Sequence, residues 1–466
     1  MTGILAESLD DALRSLGHAV ESTSGERQEP GGLLALADRV EQALTGRGVA
    51  QNEPVHVIIG NRASDLGALL GVWQAGAVVV PVHASAARST FDRVQRASRA
   101  RFSIDCDRLE VLGQLAPPNR ALLRDAALVI FTSGSTGEPK GVVIGHRRLA
   151  DKLAILDRLL KIRSNDVVLS PLQLTFIFGL WVSLLALIKG ARLVLLPKFT
   201  CDAVCRCLAQ STVLAGVPSM FRALLANSSV KAPHLRLILT GGEVLAPRLA
   251  HAMTRLAPGA IHDLYGLTET GSCDFCLSPT DQPHGFGTIG QPTDRVVFRL
   301  VRDGRVVAAG ETGELQIRTP FSMLGYLDNP ELTHASFDGD YFRTGDLARM
   351  TARGYVELVG RAKDIISRGG NKIAPLEIDN LLEQHPDVAA ALCAGVPDER
   401  LGEVVHAVIV PRVGADLDAV ALRDWLLART ERFKVPDVFH FRDILPSGSS
   451  GKADRQAIAL LAAQAT

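Results

Sequence analysis

The sequence predicts an α/β protein in which parallel sheets are flanked by helices, followed by a smaller antiparallel β region and an α+β unit. Helical and strand patterns alternate from residue 32, in the order GGLLALADRVEQAL, VHVIIG, SDLGALLGVWQAG and AVVVPV. The strands are nearly continuous runs of Val, Ile and Leu, which is typical of parallel strands buried on both faces. These two observations together favour doubly covered parallel sheets.

The later elements follow in order along the chain. Further strand-like runs, separated by helical segments, lie at 167–170, 191–196, 213–217 and 235–240. From about Val296 the segments VVFRLVRDGRVV, GELQIR and GYVELVG are short strands with Gly turns, which indicate an antiparallel region. A charged stretch after Gly360 precedes a last segment that we expect to form a separate α+β unit. Residues 1–30 carry no clear pattern.

Length and charge narrow the classes of function. A chain of 466 residues is expected to form two or more domains. Lys plus Arg and Asp plus Glu both number 50 and no long basic stretch occurs, so nucleic acid and anionic membranes are not expected partners. The N-terminus lacks the pattern of a secretory signal, and the longest apolar run, 176–188, is shorter than the roughly 18–20 residues that span a bilayer. We therefore expect a soluble, cytoplasmic protein.

The cysteines raise the alternative of a zinc site. Cys201, Cys205 and Cys207 cluster, and Cys273 and Cys276 form a C-x-x-C. No histidine lies near either cluster in sequence to complete a tetrahedral ligand set. We interpret these residues as small core thiols of a reducing compartment.

A Ser/Thr/Gly-rich loop follows a buried-looking strand in LVIFTSGSTGEPKGV, residues 128–142. Glycines let backbone amides approach closely, hydroxyl groups donate hydrogen bonds, and a lysine supplies charge, so the loop suits a polyphosphate. It is not a mononucleotide P-loop, because Gly137 is followed by Glu138 where that motif needs lysine. Composition alone would also fit a flexible surface loop.

Further motifs accompany this loop in a fixed order. They are LTGGEVL at 239–245, YGLTET at 265–270, YFRTGDLA at 341–348, GRAKDIISRGGNKIAPLEI at 360–378 and LPSGSSGK at 445–452. With FTSGSTGEPKGV, this set resembles the adenylate-forming superfamily, which contains acyl- and aryl-CoA ligases, the adenylation domains of peptide synthetases and firefly-type luciferases. The resemblance covers residues from about 32 to 460.

The resemblance implies a division into domains. Residues 1–360 would form the N-terminal adenylation core, including a small β-barrel-like region, and residues 366–466 a small mobile α+β domain. Residues 361–365 would be the hinge, with Lys363 as its pivot. It also implies the reaction: ATP activates a carboxylic acid as an acyl-adenylate, which then passes to a thiol.

The resemblance further implies the residues of a nucleotide site. Lys452 would be the catalytic cation, which meets the charge that develops in the transition state, and Glu269 would be the Mg²⁺ carboxylate. Thr268 would be a third catalytic residue. Tyr265 would stack on the adenine, while Asp346 and Arg361 would bind the ribose. The other implied ATP or AMP contacts are Thr132, Ser133, Gly134, Ser135, Thr136, Gly137, Lys140, Gly241, Gly242, Glu243 and Gly266.

The acid pocket is predicted from apolar residues and glycines. The implied pocket residues are Thr175, Phe176, Phe178, Gly179, Gly216, Gly241 and Leu267. No acidic residue occurs from 167 to 200, so the ammonium group of an α-amino acid would be buried unpaired. Trp181 and the aromatic pocket residues, with a slot left by the glycines, favour a flat aromatic or a short to medium apolar acid. The alternative is that these aromatic residues only fill the core.

Alternatives for the acceptor and for the function stay open. ISRGGNKIAPLEI is more similar to CoA ligases than to peptide-synthetase domains, and Gly369 with Gly370 would line the thiol channel. The expected cofactors are ATP, Mg²⁺ and CoA or phosphopantetheine. One alternative is a free-standing enzyme that loads an acyl carrier protein. A second is an inactive scaffold used for binding. Luciferase-like oxygenases share the same adenylation motifs.

Overall fold

The computed structural model describes residues 3–113, 117–133, 139–226, 230–257, 260–412, 414–446 and 454–463. In that part of the chain the α-helices are α1 Ile4–Ser15, α2 Pro30–Thr45, α3 Ala63–Gln74, α4 Arg88–Ser98, α5 His146–Leu160, α6 Ile177–Ile188, α7 Cys201–Leu208, α8 Pro218–Ala226, α9 Pro247–Met253, α10 Pro330–Ala335, α11 Pro375–Leu382, α12 Ala419–Leu427 and α13 Gln456–Ala463.

The strands are mostly short and alternate with these helices. Those of the first half are β1 Val20–Ser22, β2 Arg27–Gln28, β3 Pro54–Ile59, β4 Val78–His83, β5 Phe102–Asp105, β6 Arg108–Val111, β7 Ala126–Ser133, β8 Pro139–Gly145, β9 Val167–Ser170, β10 Arg192–Leu195, β11 Val213–Gly216 and β12 Leu237–Gly241. Those of the second half are β13 Ile261–Tyr265, β14 Phe275–Leu277, β15 Gln291–Pro292, β16 Val297–Arg302, β17 Arg305–Val306, β18 Gly313–Arg318, β19 Gly325–Tyr326, β20 Phe337–Asp338, β21 Tyr341–Met350, β22 Val356–Arg361, β23 Ile366–Arg368, β24 Asn371–Ile373, β25 Val388–Asp398, β26 Gly402–Pro411 and β27 Val438–Phe441.

Two sheets with parallel centres form the larger part of the molecule. The first has the order β15-β14-β13-β12-β11-β9-β10-β1-β2 and is parallel from β13 to β1. The second has the order β19-β8-β7-β4-β3-β5-β6 and is parallel from β7 to β5. Antiparallel strands lie only toward the edges of these two described sheets. The Val/Ile/Leu runs of the sequence therefore lie in the parallel centres, as predicted.

The two smaller sheets follow in the second half of the chain. Strands β17-β16-β18-β21-β20 form an antiparallel sheet, with β22 also paired to β21. Strands β24-β23-β26-β25, with β27 beside β26, form the last sheet. Strand β22 ends at Arg361 and β23 begins at Ile366, so the chain passes from one sheet to the next across the segment predicted as the hinge. The domain limits themselves stay a prediction.

One continuous apolar core joins the two larger sheets through the helices between them. Its members come from α1, α2, α3, α5 and α6 as well as from both sheets. Helix α6 is buried along nearly its whole length, because its sequence IFGLWVSLLALI is apolar on every face. No helix in the described ranges is long and apolar enough to cross a membrane. The predicted α/β fold class is confirmed.

The N-terminal segment is ordered, although its sequence was interpreted as patternless. Helix α1 buries Leu5, Leu9 and Leu13, which recur every four residues on one face. Strand β1 then joins the edge of the first sheet beside β10. The segment therefore packs against the core and is part of the folded unit.

Candidate active site

Three of the predicted site residues lie at the carboxyl ends of neighbouring parallel strands. Gly216, Gly241 and Tyr265 are the last residues of the neighbouring strands β11, β12 and β13. In parallel α/β sheets, ligands bind in the crevice outside this edge, because loops from adjacent strands converge there. These three residues therefore lie at the edge where this type of sheet commonly binds its ligands.

Tyr265, Asp346 and Arg361 form one hydrogen-bonded group. The Tyr265 hydroxyl group donates to Asp346 Oδ2 at 2.6 Å, and Arg361 Nε lies 2.7 Å from Asp346 Oδ1. Asp346 and Arg361 face each other on the antiparallel strands β21 and β22. Burial and the adjacent Asp346 carboxylate raise the pKa of Tyr265, so its hydroxyl group stays a donor. The three residues predicted to bind adenosine are therefore linked through Asp346.

Glu269 lies in a short 3₁₀ turn, Thr268–Thr270, directly after Tyr265 and its loop. Its Oε1 accepts a hydrogen bond of 3.0 Å from the Tyr326 hydroxyl group, and its backbone carbonyl accepts one of 2.7 Å from Met323 N–H. The carboxylate is half-buried, and its Oε2 accepts no hydrogen bond from a described residue. Tyr326 was not predicted from the sequence.

A buried ion pair supports the turn that carries Glu269. Lys152 Nζ lies 3.6 Å from Asp274 Oδ1, and both side chains are fully buried. Asp274 Oδ2 accepts a hydrogen bond from the Thr270 hydroxyl group, and Lys152 Nζ donates to the Cys273 carbonyl oxygen at 2.8 Å. Burial raises the pKa of Asp274 to about 6, against the attraction of Lys152. Sequence reasoning missed this pair because its members are 122 positions apart.

The polyphosphate loop joins two antiparallel strands. Strands β7 and β8 form a hairpin in which Thr132 is paired with Lys140. The Lys140 ammonium group lies 5.8 Å from the centroid of the Tyr326 ring, within the range of a cation–π contact. Ser133 ends β7, whereas the predicted contacts Gly134, Ser135, Thr136 and Gly137 lie outside the described residues.

The segment Gly241-Gly242-Glu243 forms the turn after β12. Gly242 has φ +83°, in the left-handed region that favours glycine. The Glu243 carboxylate accepts hydrogen bonds from Ser219 N–H at 2.9 Å and from the Ser219 hydroxyl group at 3.0 Å. The Glu243 side chain, which was predicted to contact the nucleotide, therefore contacts the start of helix α8. A Cβ atom on Gly266 would lie 2.3 Å from Cys273 N, so this glycine permits a close backbone contact beside Tyr265.

We call Tyr265, Glu269, Tyr326, Asp346 and Arg361 the nucleotide face. The acid face comprises Thr175, Phe176, Phe178, Trp181 and Leu267.

The acid face is built mainly from apolar contacts. Phe178 stacks on Trp181 with ring centroids 5.3 Å apart, and Trp181 is fully buried. The Trp181 indole N–H donates to the Ser272 hydroxyl group at 3.3 Å, just beyond the turn of Glu269. Thr175 is buried, whereas Phe176 is 42% exposed. The two faces therefore meet at the segment that follows Tyr265.

The glycines of the predicted slot adjoin protein atoms. A Cβ atom on Gly179 would lie 2.3 Å from the Gln173 carbonyl oxygen, and one on Gly241 would lie 2.3 Å from the Leu264 carbonyl oxygen. On Gly216 it would lie 3.1 Å from the Phe221 ring. Close packing explains glycine at these positions, so they are not by themselves evidence of a slot for the acid.

The remaining predicted residues lie in the C-terminal part. Lys363 is in the 3₁₀ turn Ala362–Asp364 between β22 and β23. Gly369 and Gly370 have φ +54° and +85° and form the two-residue turn between β23 and β24. Such a turn requires glycine-like conformations, so its geometry alone accounts for both residues. Lys452 lies outside the described residues.

The donor set suits Mg²⁺ better than a metal held by protein alone. No group of three or more His, Cys, Asp or Glu side chains within the described ranges is placed to hold a metal ion. Mg²⁺ commonly binds one or two carboxylates together with substrate phosphates and water, and Glu269 offers one carboxylate with a free oxygen. Glu269 therefore fits a metal carried by ATP. All seven cysteines are described and are free thiols.

Comparison with known proteins shows the family of this chain. The family described as AMP-binding enzyme matches residues 110–327, and its C-terminal domain matches residues 377–452. The oxalate–CoA ligase of Arabidopsis thaliana is 31% identical over 345 residues, which cover 72% of this chain and 67% of that protein. A feruloyl-CoA synthase of an Amycolatopsis species is 32% identical over 442 residues, which cover 89% of this chain and 90% of that protein.

A solved structure extends the agreement to nearly the full chain. The crystal structure of ATP-bound MatB from Rhodopseudomonas palustris has a TM-score of 0.88 at 26% identity, with 99% of both chains covered. The chain therefore belongs to the AMP-binding enzyme family, and the reaction class predicted from its motifs, an ATP-dependent acid–thiol ligase, is confirmed.

Proposed function

We propose that this chain converts a flat aromatic or a short to medium apolar carboxylic acid into its CoA thioester through an acyl-adenylate. The observation that carries the proposal is the hydrogen-bonded group of Tyr265, Asp346 and Arg361 beside Glu269, at the carboxyl edge of the first sheet. An adenosine moiety held there would direct its phosphates toward the hairpin of Lys140.

The first half-reaction forms the acyl-adenylate. A carboxylate oxygen of the acid attacks the α-phosphorus of ATP, the bond from that phosphorus to the bridging oxygen breaks, and pyrophosphate leaves. Because nucleophile and leaving group are both anionic, positive charge placed at the reacting atoms lowers the barrier most. We assign this charge to Lys452 at the transferring group and to Lys140 at the pyrophosphate.

The nucleotide face would bind the adenosine. Asp346 can accept hydrogen bonds from the ribose hydroxyl groups, because each of its oxygens has accepting capacity beyond its contact with Tyr265 or Arg361. Arg361 is half exposed and can donate to the same sugar. The Tyr265 ring, fixed through its hydroxyl group, offers its face to the adenine.

Glu269 would hold Mg²⁺ through the carboxylate oxygen that Tyr326 leaves free. The metal would neutralise charge on the phosphate oxygens and so assist the departure of pyrophosphate. Thr268 begins the same turn and would lie between Glu269 and the transferring group.

The second half-reaction transfers the acyl group to sulfur. The thiol loses its proton, attacks the acyl carbon, and expels AMP as the bond between that carbon and the phosphate oxygen breaks. Rotation about Lys363 would replace the Lys452 loop by another surface of the C-terminal domain. The turn of Gly369 and Gly370 would then lie along the pantetheine arm, where the absence of side chains permits close approach.

The proposed acid class depends on the acid face. Phe178 and Trp181 present stacked rings, and no acidic side chain occurs from 167 to 200 to pair with an α-ammonium group. The relatives' names, oxalate–CoA ligase and feruloyl-CoA synthase, show that family members act on very different acids. The acid must therefore be decided by pocket residues that differ between relatives.

The proposed acceptor is CoA and the proposed location is the cytoplasm. Free thiols at all seven cysteines suit a reducing compartment. A carrier protein's phosphopantetheine has the same reacting end as CoA, so product analysis must separate the two acceptors.

The test is product identification with both acceptors. The full-length protein is incubated with ATP, Mg²⁺ and single acids that include benzoate-like acids, C4 to C8 acids, a C16 acid and α-amino acids. Mass spectrometry should detect thioesters of CoA from the first two groups. Preference for the C16 acid or an α-amino acid would contradict the proposed pocket, and a product formed only on a holo-carrier protein would contradict the proposed acceptor.

A further inference from the structure

Tyr326 contacts two of the proposed active-site residues at once. Its hydroxyl group donates to Glu269 Oε1 at 3.0 Å, and the Lys140 ammonium group lies 5.8 Å from the centroid of its ring. The side chain is almost completely buried, at 5% exposure. One aromatic residue therefore connects the proposed Mg²⁺ carboxylate with the hairpin of the polyphosphate loop.

The backbone of Tyr326 is fixed relative to that hairpin. Tyr326 is paired with Val142 on the antiparallel strands β19 and β8, two residues beyond Lys140. Its N–H donates to the Thr333 hydroxyl group at 2.9 Å, and its carbonyl oxygen accepts from Asn329 N–H at 3.2 Å. These backbone contacts fix the position from which the hydroxyl group contacts Glu269.

We propose that Tyr326 is a positioning residue for adenylation, which orients the Glu269 carboxylate for Mg²⁺ and fixes the direction of Lys140 toward pyrophosphate. The proposal rests on the proposed function, because it takes the roles of Glu269 and Lys140 from there.

A neutral donor suits this task better than a cation. The hydroxyl group occupies one oxygen of Glu269 and leaves the other free for a metal, while the full negative charge of the carboxylate remains. An arginine or lysine in this place would neutralise that charge and compete with Mg²⁺.

The ring of Tyr326 has a second proposed role, which is to orient Lys140. A lysine side chain is flexible and loses rotamer freedom when it binds a phosphate. The face of the Tyr326 ring attracts the ammonium group through its quadrupole and so restricts that group before the nucleotide arrives. The hydroxyl group and the ring can be removed separately, which makes the two tasks distinguishable.

The hydroxyl group is tested by Tyr326→Phe. ATP binding is measured by calorimetry without acid, so that no turnover occurs, first with EDTA and then with Mg²⁺. In EDTA, we expect Tyr326→Phe to bind ATP like the wild type. In Mg²⁺, we expect its affinity for ATP to be about tenfold lower than that of the wild type, because tenfold corresponds to one lost hydrogen bond to a charged group. The matched control is Tyr355→Phe, which removes a hydroxyl group bound to Asp281 at 3.2 Å and should change neither measurement.

The ring is tested by Tyr326→Leu with pyrophosphate as the probe. Tyr326→Leu should bind pyrophosphate several-fold more weakly than Tyr326→Phe in EDTA, because only the leucine variant lacks the ring. Equal binding by these two variants would overturn the proposed role of the ring in directing Lys140. Thermal unfolding of each variant checks that the fold is kept.

Two results separate this proposal from the proposed function. If Glu269→Gln abolishes the Mg²⁺-dependent gain and Tyr326→Phe leaves it intact, the positioning role is wrong while the metal role of Glu269 stands. If Glu269→Gln keeps the gain, the metal role itself is wrong and the positioning role falls with it. Equal weakening of ATP binding by Tyr326→Phe in EDTA and in Mg²⁺ would indicate a merely structural residue and would also overturn the proposal.

Discussion

The nucleotide face and the acid face are held by different kinds of contact. On the nucleotide face, side chains are held by directed polar contacts, such as Tyr265 to Asp346 and Tyr326 to Glu269. On the acid face, the stack of Phe178 on Trp181 and the burial of Thr175 are mostly apolar. Directed contacts require particular residue types, whereas apolar packing accepts many. The residue types of the nucleotide face are therefore more narrowly constrained than those of the acid face.

The largest expected effect comes from Lys452, to which we assign the positive charge that assists adenylation. Lys452→Ala should slow adenylation about 10²–10³-fold, the scale for removing one preorganised group that stabilises transition-state charge. Thioester formation from a supplied acyl-adenylate should continue. Pyrophosphate exchange and single-turnover thioester formation measure the two steps. Exposed Lys231→Ala is the control, and equal loss of both steps would contradict the role assigned to Lys452.

The next largest effect is expected when the hydrogen-bonded group of Tyr265, Asp346 and Arg361 is disrupted. Asp346→Asn should weaken ATP and AMP binding by about 10- to 100-fold, because it removes charge from the contacts with Arg361 and Tyr265 and from the proposed contact with the ribose. Calorimetry gives both affinities. Asp338→Asn is the control, since Asp338 is paired with Arg299 at 2.7 Å in the same sheet. A variant with unchanged nucleotide affinity would refute the assignment of Asp346.

A smaller effect is expected on the acid face. Phe178→Ala should lower kcat/KM for the best aromatic acid about tenfold, because the aromatic stack with Trp181 is lost, while ATP affinity stays the same. Acids of several sizes should change rank, which thioester assays would show. A uniform decrease for all acids would indicate that Phe178 only fills the core.

The smallest effect concerns the pH dependence of thermal unfolding, through the buried Asp263 on the strand that ends at Tyr265. Burial raises the pKa of Asp263 to about 8 from its usual 3.8, so the folded protein binds a proton that the unfolded chain releases. Stability should therefore fall as the pH rises from about 4 to about 8. Asp263→Asn should unfold at least about 2 °C above the wild type at pH 8 and at the same temperature near pH 4. Exposed Asp416→Asn should show no such trend in thermal unfolding.

The fold class predicted from the sequence is confirmed. Tyr265, Asp346 and Arg361, which the sequence predicted from three separate motifs, lie in one hydrogen-bonded group, while nucleotide binding by them stays a prediction. It did not predict Tyr326 or the Lys152–Asp274 pair, since contacts across 57 and 122 positions leave no local pattern. Helix α1 was missed although Leu5, Leu9 and Leu13 repeat every four residues, a signal that was present in the sequence.

The glycines teach a different lesson about prediction from sequence. Gly179 and Gly241 were interpreted as open space for the acid, but carbonyl oxygens of Gln173 and Leu264 lie where their Cβ atoms would be. A glycine permits either a ligand or the backbone of the same chain to approach, and the sequence does not distinguish the two. The motif residues Tyr265, Asp346 and Arg361 therefore lie together, as one site would require, whereas the glycines give no separate evidence for a pocket.

The most direct test of the account is exchange of labelled pyrophosphate into ATP by the wild-type protein. We expect exchange that requires both Mg²⁺ and a carboxylic acid, with benzoate-like or C4 to C8 acids most effective, because the nucleotide face would bind ATP and the acid face would select the acid. Absence of exchange across a broad acid panel, together with no calorimetric binding of ATP, would contradict the account.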